Sequence, residues 1–391
     1  MLRPHGPLPA DLLRFNGGVM PHQDGVDIGE RDTPINAGQL ASFVPLREGD
    51  NTNDADRETI ASAVALQLNG PAGFDRSQYI LTGSFGHGSS DFTDLILDGG
   101  VVQTPYQNML DAVQAAQDLC DAAGLELEVV VGYDQGEAAA NTDPVVFSGH
   151  LTGWQPDLVT RIGAITGQST VKLFVSQTVA SRGNLSEPCL SAFGQALAAD
   201  ANSNIHLLPA CYFTDPDESP YIEAGSVPVI HHTATGHQWR GSLYGAAMAK
   251  VLIEDNDPGL RILSANWSGS QVTITWNQPD VVIDCDTIRN LGVGLGLSLE
   301  NTNGSTPTIK HVNMSTANQT IIQLSGDIPS EAEIDISVGA SDIVSNGNSM
   351  FGYAKGPRAA FRRADPLGYS MISGEPLFVF ANIEKFTATE A

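Results

Sequence analysis

Positive charge is scarce in this sequence. Its 391 residues include 19 lysines and arginines against 45 aspartates and glutamates, which gives a formal net charge of −26. Binding to nucleic acid depends on cations that neutralise phosphates, and anionic membrane surfaces likewise attract basic segments. We therefore expect neither nucleic acid nor an anionic membrane surface as a partner, while neutral or weakly charged ligands, glycans among them, remain open.

Cysteines and long apolar runs are also few. The four cysteines lie far apart and form no Cys-x-x-Cys pair, so they indicate neither a zinc site nor a dense disulfide framework. We expect all four to be buried free thiols: Cys120, Cys189, Cys211 and Cys285. No apolar run approaches the roughly 20 residues that span a bilayer, and the opening MLRPHGPLPADLLRF lacks the apolar core of a signal peptide. We expect a soluble protein with no membrane insertion and no signal peptide.

The pattern of apolar residues changes character near residues 255–259. Strand-like and helix-like segments alternate from about 57 to 254, which is typical of a parallel sheet covered by helices on both faces. Beyond 259, apolar and polar residues alternate between turn-rich segments, as in an antiparallel β-sandwich. The sequence therefore predicts a doubly wound α/β domain over 1–255, with an irregular lead-in over 1–56, and a β-sandwich domain over 259–391.

Individual elements of the first predicted domain follow from spacing and terminal residues. Helical spacing begins at Thr104, a plausible N-cap followed by proline, and Gly124 supplies the usual stop. Further helices are predicted over 57–68, 155–165, 187–199 and from the turn at 233–236 to about 253. Strands are predicted over 78–82, 170–176 and 204–209.

Two adjacent histidines, His231 and His232, follow a short apolar run and precede a turn at 233–236, which opens the alanine-rich helical pattern. A histidine between a strand and a helix lies where an α/β sheet presents reactive groups, and its near-neutral pKa suits a general base. The alternative is a polar residue at a helix entry. A metal site built from these residues and His237 is disfavoured, because the spacing is poor and no carboxylate is in register. We predict no metal and no cofactor.

A second segment, ELEVVVGYDQGE, is a β-branched run that ends in Gln-Gly-Glu at 135–137. Together with the histidine turn and its following Gly236, it resembles the SGNH hydrolases, in particular the carbohydrate O-acetylesterase branch that includes sialate O-acetylesterases and acetylxylan esterases. The resemblance implies His231 as the base and Gln135 as a side-chain donor to the oxyanion. It leaves Glu137 as either a loop anchor or a contact to a sugar hydroxyl.

A glycine-rich turn, GSFGHGSS, follows the strand predicted over 78–82. By the same resemblance, Gly86 and Gly88 correspond to the glycine block, whose free backbone N–H groups can face an anion. Ser89, Glu137 and His232 complete the set of expected binding residues. The alternative is a tight connection between a strand and a helix.

Two parts of the family pattern are missing. The nucleophilic serine should precede the segment Phe-Asn-Gly-Gly at 15–18, but no serine lies in residues 1–14. Pro228 occupies the place of the aspartate that normally orients the histidine. Ser84, in the turn after a predicted strand, is the substitute nucleophile that the sequence offers; its alternative role is to cap the loop.

These observations leave two classes of function. The favoured one is a catalytically degenerate, glycan-directed protein that uses an esterase scaffold for recognition or assembly, as in a phage tail fibre. Its expected partner is a polysaccharide or acetylated glycan, within a possible homo-oligomer or larger assembly, at an extracellular or virion-associated location. The alternative is an active carbohydrate O-acetylesterase with Ser84 as nucleophile and His231 as base, or with a serine supplied by another chain.

Overall fold

The computed structural model describes most of the chain, in eleven segments: residues 12–16, 19, 34–46, 59–70, 78–86, 90–136, 138–178, 189–211, 234–285, 293–339 and 359–391. The helices in these segments are α1 (Ile60–Leu68), α2 (Phe92–Leu95), α3 (Thr104–Ala123), α4 (Pro144–Thr166), α5 (Leu190–Ala201) and α6 (Ala234–Glu254), with a short 3-10 helix at Ala37–Leu40.

The strands of the N-terminal part are short. They are β1 (Leu12–Phe15), β2 (Phe43–Pro45), β3 (Ile80–Leu81), β4 (Leu97–Asp98), β5 (Val101–Val102), β6 (Val131–Tyr133), β7 (Leu173–Val175) and β8 (Ile205–Leu207). They form a sheet of order β2-β1-β3, a β4-β5 ribbon and a fully parallel sheet of order β6-β7-β8. The fold is thus mixed α/β, and the single doubly wound sheet of the SGNH type stays a prediction.

The parallel sheet β6-β7-β8 is covered on both faces. Leu173 and Val175 of β7 belong to a cluster with the inner side of α4, including Trp154, Leu158 and Ile162. Phe174 lies between them in sequence and packs into a different cluster, which contains residues of α5 and α6. Since side chains alternate along a strand, the two faces of this sheet are buried in different clusters, and helices on both faces stay a prediction.

Helix α3 begins and ends close to the predicted positions. Gln103 rather than Thr104 is the N-cap, and it makes no capping hydrogen bond from its side chain. Gly124 ends the helix with φ of 68°, a left-handed conformation that costs glycine little. Helix α4 starts eleven residues earlier than predicted, at Pro144 instead of 155, because Asp143 caps its N-terminus through two backbone N–H groups.

Helices α1 and α6 pack at very close range through glycine. A Cβ atom on Gly241 would lie 2.5 Å from Ala63 Cβ and 2.6 Å from the carbonyl oxygen of Ile60. A Cβ on Gly245 would lie 2.7 Å from the carbonyl oxygen of Val64. Any larger side chain at these positions would therefore push the two helices apart.

This contact predicts opposite effects for two Gly→Ala changes within helices. Gly241→Ala should lower the free energy of unfolding by about 1–3 kcal/mol, because the added methyl overpacks a tight interface. Gly149→Ala in α4 should raise it by about 0.5–1 kcal/mol, because nothing lies within 4 Å of the new Cβ and alanine favours helix. Urea unfolding of both variants tests this, and equal effects would contradict the proposed close packing.

The C-terminal part is built mainly from antiparallel strands. Its strands are β9 (Ile262–Ser268), β10 (Gln271–Trp276), β11 (Val281–Ile283), β12 (Leu297–Asn301), β13 (Ile309–Thr316), β14 (Gln319–Leu324), β15 (Ile334–Val338), β16 (Phe361–Arg363) and β17 (Glu384–Glu390). Seven of them form one sheet of order β12-β15-β17-β9-β10-β14-β13, in which the pair β17–β9 is parallel. The other two form a β11-β16 sheet, whose Phe361 ring lies 5.2 Å from that of Trp276 in β10.

Buried contacts join the residues on either side of the predicted boundary at 255–259. The amide of Gln177, which follows β7, exchanges two 2.6 Å hydrogen bonds with the backbone of Ile383. One hydrophobic cluster includes residues of both α6 and the seven-stranded sheet. The division into two domains stays a prediction, and these contacts show that the two parts share a core.

The cysteines divide between the interior and the surface. Cys120, Cys189 and Cys211 are buried, but Cys285 is exposed, so the prediction of burial is wrong for the fourth residue. Cys285 lies in a turn two residues after the end of the short strand β11. Within the described segments, no helix is long and apolar enough to cross a membrane.

Candidate functional site

Polar residues gather where the strands of the parallel sheet end. Asp134 and Gln135 follow β6 directly, and Ser176 follows β7. The carboxyl ends of parallel strands meet at one edge of a sheet, which is where α/β folds bind ligands. Helix α6 reaches the same edge, because its Arg240 contacts Asp134.

The Gln135 side chain connects this edge to the glycine-rich segment. Its Nε2 donates to the backbone carbonyl of Ser90 at 2.6 Å, and its Oε1 accepts from the Tyr133 hydroxyl at 2.5 Å. The orientation of the amide is thereby fixed, with one N–H used and a second N–H left over. This contact joins Gln135 to the end of the glycine-rich segment at Ser90.

Buried polar side chains form hydrogen bonds with the backbone beside Gln135. Gln195 of α5 donates to the Gln135 carbonyl at 3.0 Å and accepts from the backbone N–H of Thr178 at 3.0 Å. The hydroxyl of Ser191 donates to the Gly136 carbonyl at 3.1 Å. Because these groups are buried and paired, they fix the path of the loop after β6.

Asp134 forms a partly buried ion pair at the edge of the sheet. Its Oδ1 accepts hydrogen bonds from the guanidinium of Arg240 and from the hydroxyl of Ser176. The Arg240 side chain is 7% exposed, whereas that of Asp134 is 29% exposed. One partner of the pair is therefore inside the protein and the other reaches solvent.

Burial shifts the pKa values of three side chains around Arg240. Burial lowers the pKa of His237, and the positive charge of Arg240 lowers it further, to about 4. Burial raises the pKa of Cys211 to about 11 and raises that of Tyr244. These three side chains are consequently neutral near pH 7, and the Asp134–Arg240 pair supplies the charge in this cluster.

Five of the predicted site residues lie outside the described residues: Gly88, Ser89, Glu137, His231 and His232. Their roles, including that of His231 as a base, stay predictions. Helix α6 begins at Ala234, three residues after His231. Gly86 is exposed, and a Cβ added to it would meet no atom within 4 Å.

Ser84 and the turn after β1 lie side by side. The backbone N–H of Ser84 donates to the carbonyl of Val19 at 2.8 Å, and the strand before it, β3, runs parallel to β1. The side chain of Asn16, the first residue after β1, bonds to the carbonyl of Gly38 and to the N–H of Ser42. The end of β1 therefore carries an amide that is engaged with the neighbouring β2 segment.

Sequence reasoning missed Asp134, Ser176 and Arg240. Asp134 is adjacent to the Gln-Gly-Glu segment, so its position next to a predicted site residue was a usable signal. Arg240 and Ser176 carried no such signal, because an arginine within a helix and a serine after a strand are ordinary on a protein surface. Their meeting at Asp134 depends on the tertiary structure.

Comparisons with known proteins include an informative likeness in structure. No protein-family model matches the sequence, and no curated protein matches it either. In structure, the chain is similar to a carbohydrate acetylesterase from Xanthomonas citri, with a TM-score of 0.58 and 11% identity over 96% of this chain and 73% of that enzyme. The N-terminal part of the bacterial S-layer protein SbsC matches at a TM-score of 0.21 and 8% identity, over 64% of this chain and 40% of that one. That second likeness is too weak to support an argument.

The acetylesterase likeness extends over both the α/β part and the C-terminal strands, since it covers nearly the whole chain. At 11% identity it shows the fold alone. The chain therefore has a fold like that of a carbohydrate acetylesterase, and its activity is a separate question.

Proposed function

We propose that this protein is a glycan-directed protein on an SGNH-type esterase scaffold, and that it recognises acetylated carbohydrate instead of hydrolysing it through an acyl-enzyme. The observation that carries the proposal is the chain-wide fold likeness to a carbohydrate acetylesterase, combined with the lack of a serine at the end of β1. A recognition role retains the glycan surface of such a scaffold and dispenses with its nucleophile.

The sequence supports the loss of the nucleophile. The first serine of the chain is Ser42, so no serine occurs in β1 or in the turn that follows it. Residues 1–14, which precede the Phe-Asn-Gly-Gly segment, contain no serine either, and an acyl-enzyme needs such an activated hydroxyl. The substitution of proline at 228 for the orienting aspartate supports the same conclusion.

Gln135 retains a donor that suits recognition as well as catalysis. One N–H of its amide is bonded to the carbonyl of Ser90, and the other has no partner among the described residues. A fixed N–H of this kind can donate to an acetyl carbonyl in the ground state. Binding of an acetylated sugar therefore needs no acyl-enzyme.

A second candidate function is an active O-acetylesterase with Ser84 as nucleophile and His231 as base. It is favoured by the position of Ser84, which follows a strand parallel to β1 and contacts Val19 just beyond the end of β1. A serine there is near the place where the family has its nucleophile. This alternative requires the histidine to come within about 2.6–3.2 Å of the Ser84 hydroxyl.

Hydrolysis of p-nitrophenyl acetate distinguishes the two functions. We expect turnover close to the uncatalysed rate and no change on Ser84→Ala, because no acyl-enzyme forms. A fast reaction that Ser84→Ala abolishes would replace the recognition proposal with the active esterase.

Binding to acetylated oligosaccharides is the positive test of recognition. Gln135→Ala should weaken binding about tenfold, since a hydrogen bond of about 1.4 kcal/mol is within the usual range. Gln107→Ala is a matched control, because Gln107 is an exposed residue of α3 that bonds to Asp111 along the surface of the same helix. Absence of any glycan binding would leave the scaffold with a purely structural role.

A further inference from the structure

We propose that Asp134 binds a sugar hydroxyl and that the site selects neutral glycans over anionic ones. This inference rests on the proposed function and adds to it the class of carbohydrate. Three observations carry it: the hydrogen bonds that orient the Asp134 carboxylate, the charges of the surrounding groups and the side-chain amide of Gln135.

The geometry of Asp134 leaves one carboxylate oxygen available. Both of its hydrogen bonds within the described residues go to Oδ1, one from Arg240 and one from Ser176. Oδ2 accepts no hydrogen bond from these residues, and the side chain is 29% exposed. Asp134 is thus a carboxylate that is oriented from inside and open to solvent on its other oxygen. Such an acceptor loses little conformational freedom when a ligand binds.

The charges favour a hydroxyl donor as the ligand group. Arg240 is buried and already bonded to Asp134, so its cation faces the protein and not the solvent. A ligand that approaches Oδ2 meets the negative side of the pair. A sugar carboxylate, sulfate or phosphate would place like charges together without a compensating gain, and the net charge of −26 adds a longer-range repulsion.

Asp134 and its neighbour offer complementary hydrogen-bonding groups. Oδ2 of Asp134 can only accept, and the remaining N–H of Gln135 can only donate. A sugar hydroxyl does both, so the hydroxyl and acetyl groups of a glycan offer a partner for each of these two groups. Carboxylate and amide groups at one edge of the sheet therefore match a neutral, hydroxyl-rich ligand.

Glycan-array binding followed by titration calorimetry tests this inference. The array should contain neutral O-acetylated oligosaccharides and O-acetylated oligomers that carry uronic or sialic acids. We expect the bound glycans to be neutral, with an affinity that changes less than about twofold between roughly 50 and 500 mM NaCl, the range over which exposed charges become screened. Asp134→Asn should weaken binding of the best neutral glycan about tenfold or more.

Two further variants separate recognition from folding. Asp134→Asn leaves the buried Arg240 without its carboxylate, which could disturb folding. The double variant Asp134→Asn with Arg240→Gln removes both charges and is measured alongside the single variant. It should lose glycan binding to the same degree and retain the circular dichroism spectrum of the parent protein. Asp118→Asn, at an exposed site on α3, makes the same change in net charge and should bind normally.

The outcomes also separate this inference from the proposed function. Binding that is confined to anionic glycans, or unchanged binding in both Asp134 variants, would overturn the role of Asp134 and leave glycan recognition in place. An array with no bound glycan would overturn both.

Discussion

Arg261→Ala is expected to lower the free energy of unfolding by about 3–5 kcal/mol at pH 8, the usual cost of breaking a buried ion pair by removing one partner. Arg261 donates to Glu384 of β17 and to Asp200 of α5, in two hydrogen bonds each. Glu384 is 3% exposed and also accepts from the backbone N–H of Ile262. Without Arg261, a buried carboxylate would lose its cation.

The decrease in the free energy of unfolding caused by Arg261→Ala should be smaller at pH 5. Burial raises the pKa of Glu384 to about 7 from the usual 4.5, although Arg261 acts in the opposite direction. A carboxyl group whose pKa is raised on folding stabilises the folded state at low pH, and that contribution is lost as pH rises from 4.5 through 7. Removal of Arg261 raises this pKa further, so the additional cost appears mainly where Glu384 must ionise, above about pH 7.

Urea unfolding at pH 5 and pH 8 measures both expectations. Arg161→Ala is the matched control, because Arg161 pairs with Asp157 on the surface of α4, with 37% of its side chain exposed. Exposed pairs of this kind contribute about 0–1 kcal/mol. An Arg261→Ala effect as small as that of the control, or one of equal size at both pH values, would contradict the importance of this network.

Gly136→Ala is expected to destabilise the protein by about 3–5 kcal/mol and to remove glycan binding. A Cβ on residue 136 would lie 1.8 Å from Thr178 Oγ1 and 3.2 Å from Gln195 Nε2. Overpacking alone costs about 1–3 kcal/mol. Displacement of Thr178 also leaves buried polar groups without partners, at about 1–3 kcal/mol each. The same shift would move Gln135 away from Ser90.

A second substitution tests the cause. Thr178→Ala removes the hydroxyl that clashes, so Gly136→Ala with Thr178→Ala should recover part of the stability lost in the single variant. The remaining deficit arises because Thr178 Cβ would still lie 3.1 Å from the added methyl. A double-mutant cycle by urea unfolding gives the coupling. Additive losses would show that the two residues do not oppose each other.

Helices with clear terminal signals were predictable from local sequence. The pattern of α3 and the glycine at its end specify that helix, and α6 follows from its alanine-rich periodicity. Helix α4 shows the limit, because Gly149, Gly153 and Pro156 are typical helix breakers and its first half was missed. The interior of α4 is buried against the sheet and α3, and this packing outweighs the weak helix propensity of those residues.

Some features of the candidate site could likewise be predicted from the sequence, and others depend on the tertiary structure. The sequence by itself determined that Gln135 follows a core strand, that no serine is available at the end of β1 and that the protein is strongly acidic. Only the tertiary structure decided that Arg240, 106 residues away, pairs with Asp134, and that Gln195 supports the loop at Gln135. The physical reason is that strand and helix patterns depend on near neighbours, whereas an ion pair between distant residues depends on which elements the core brings together.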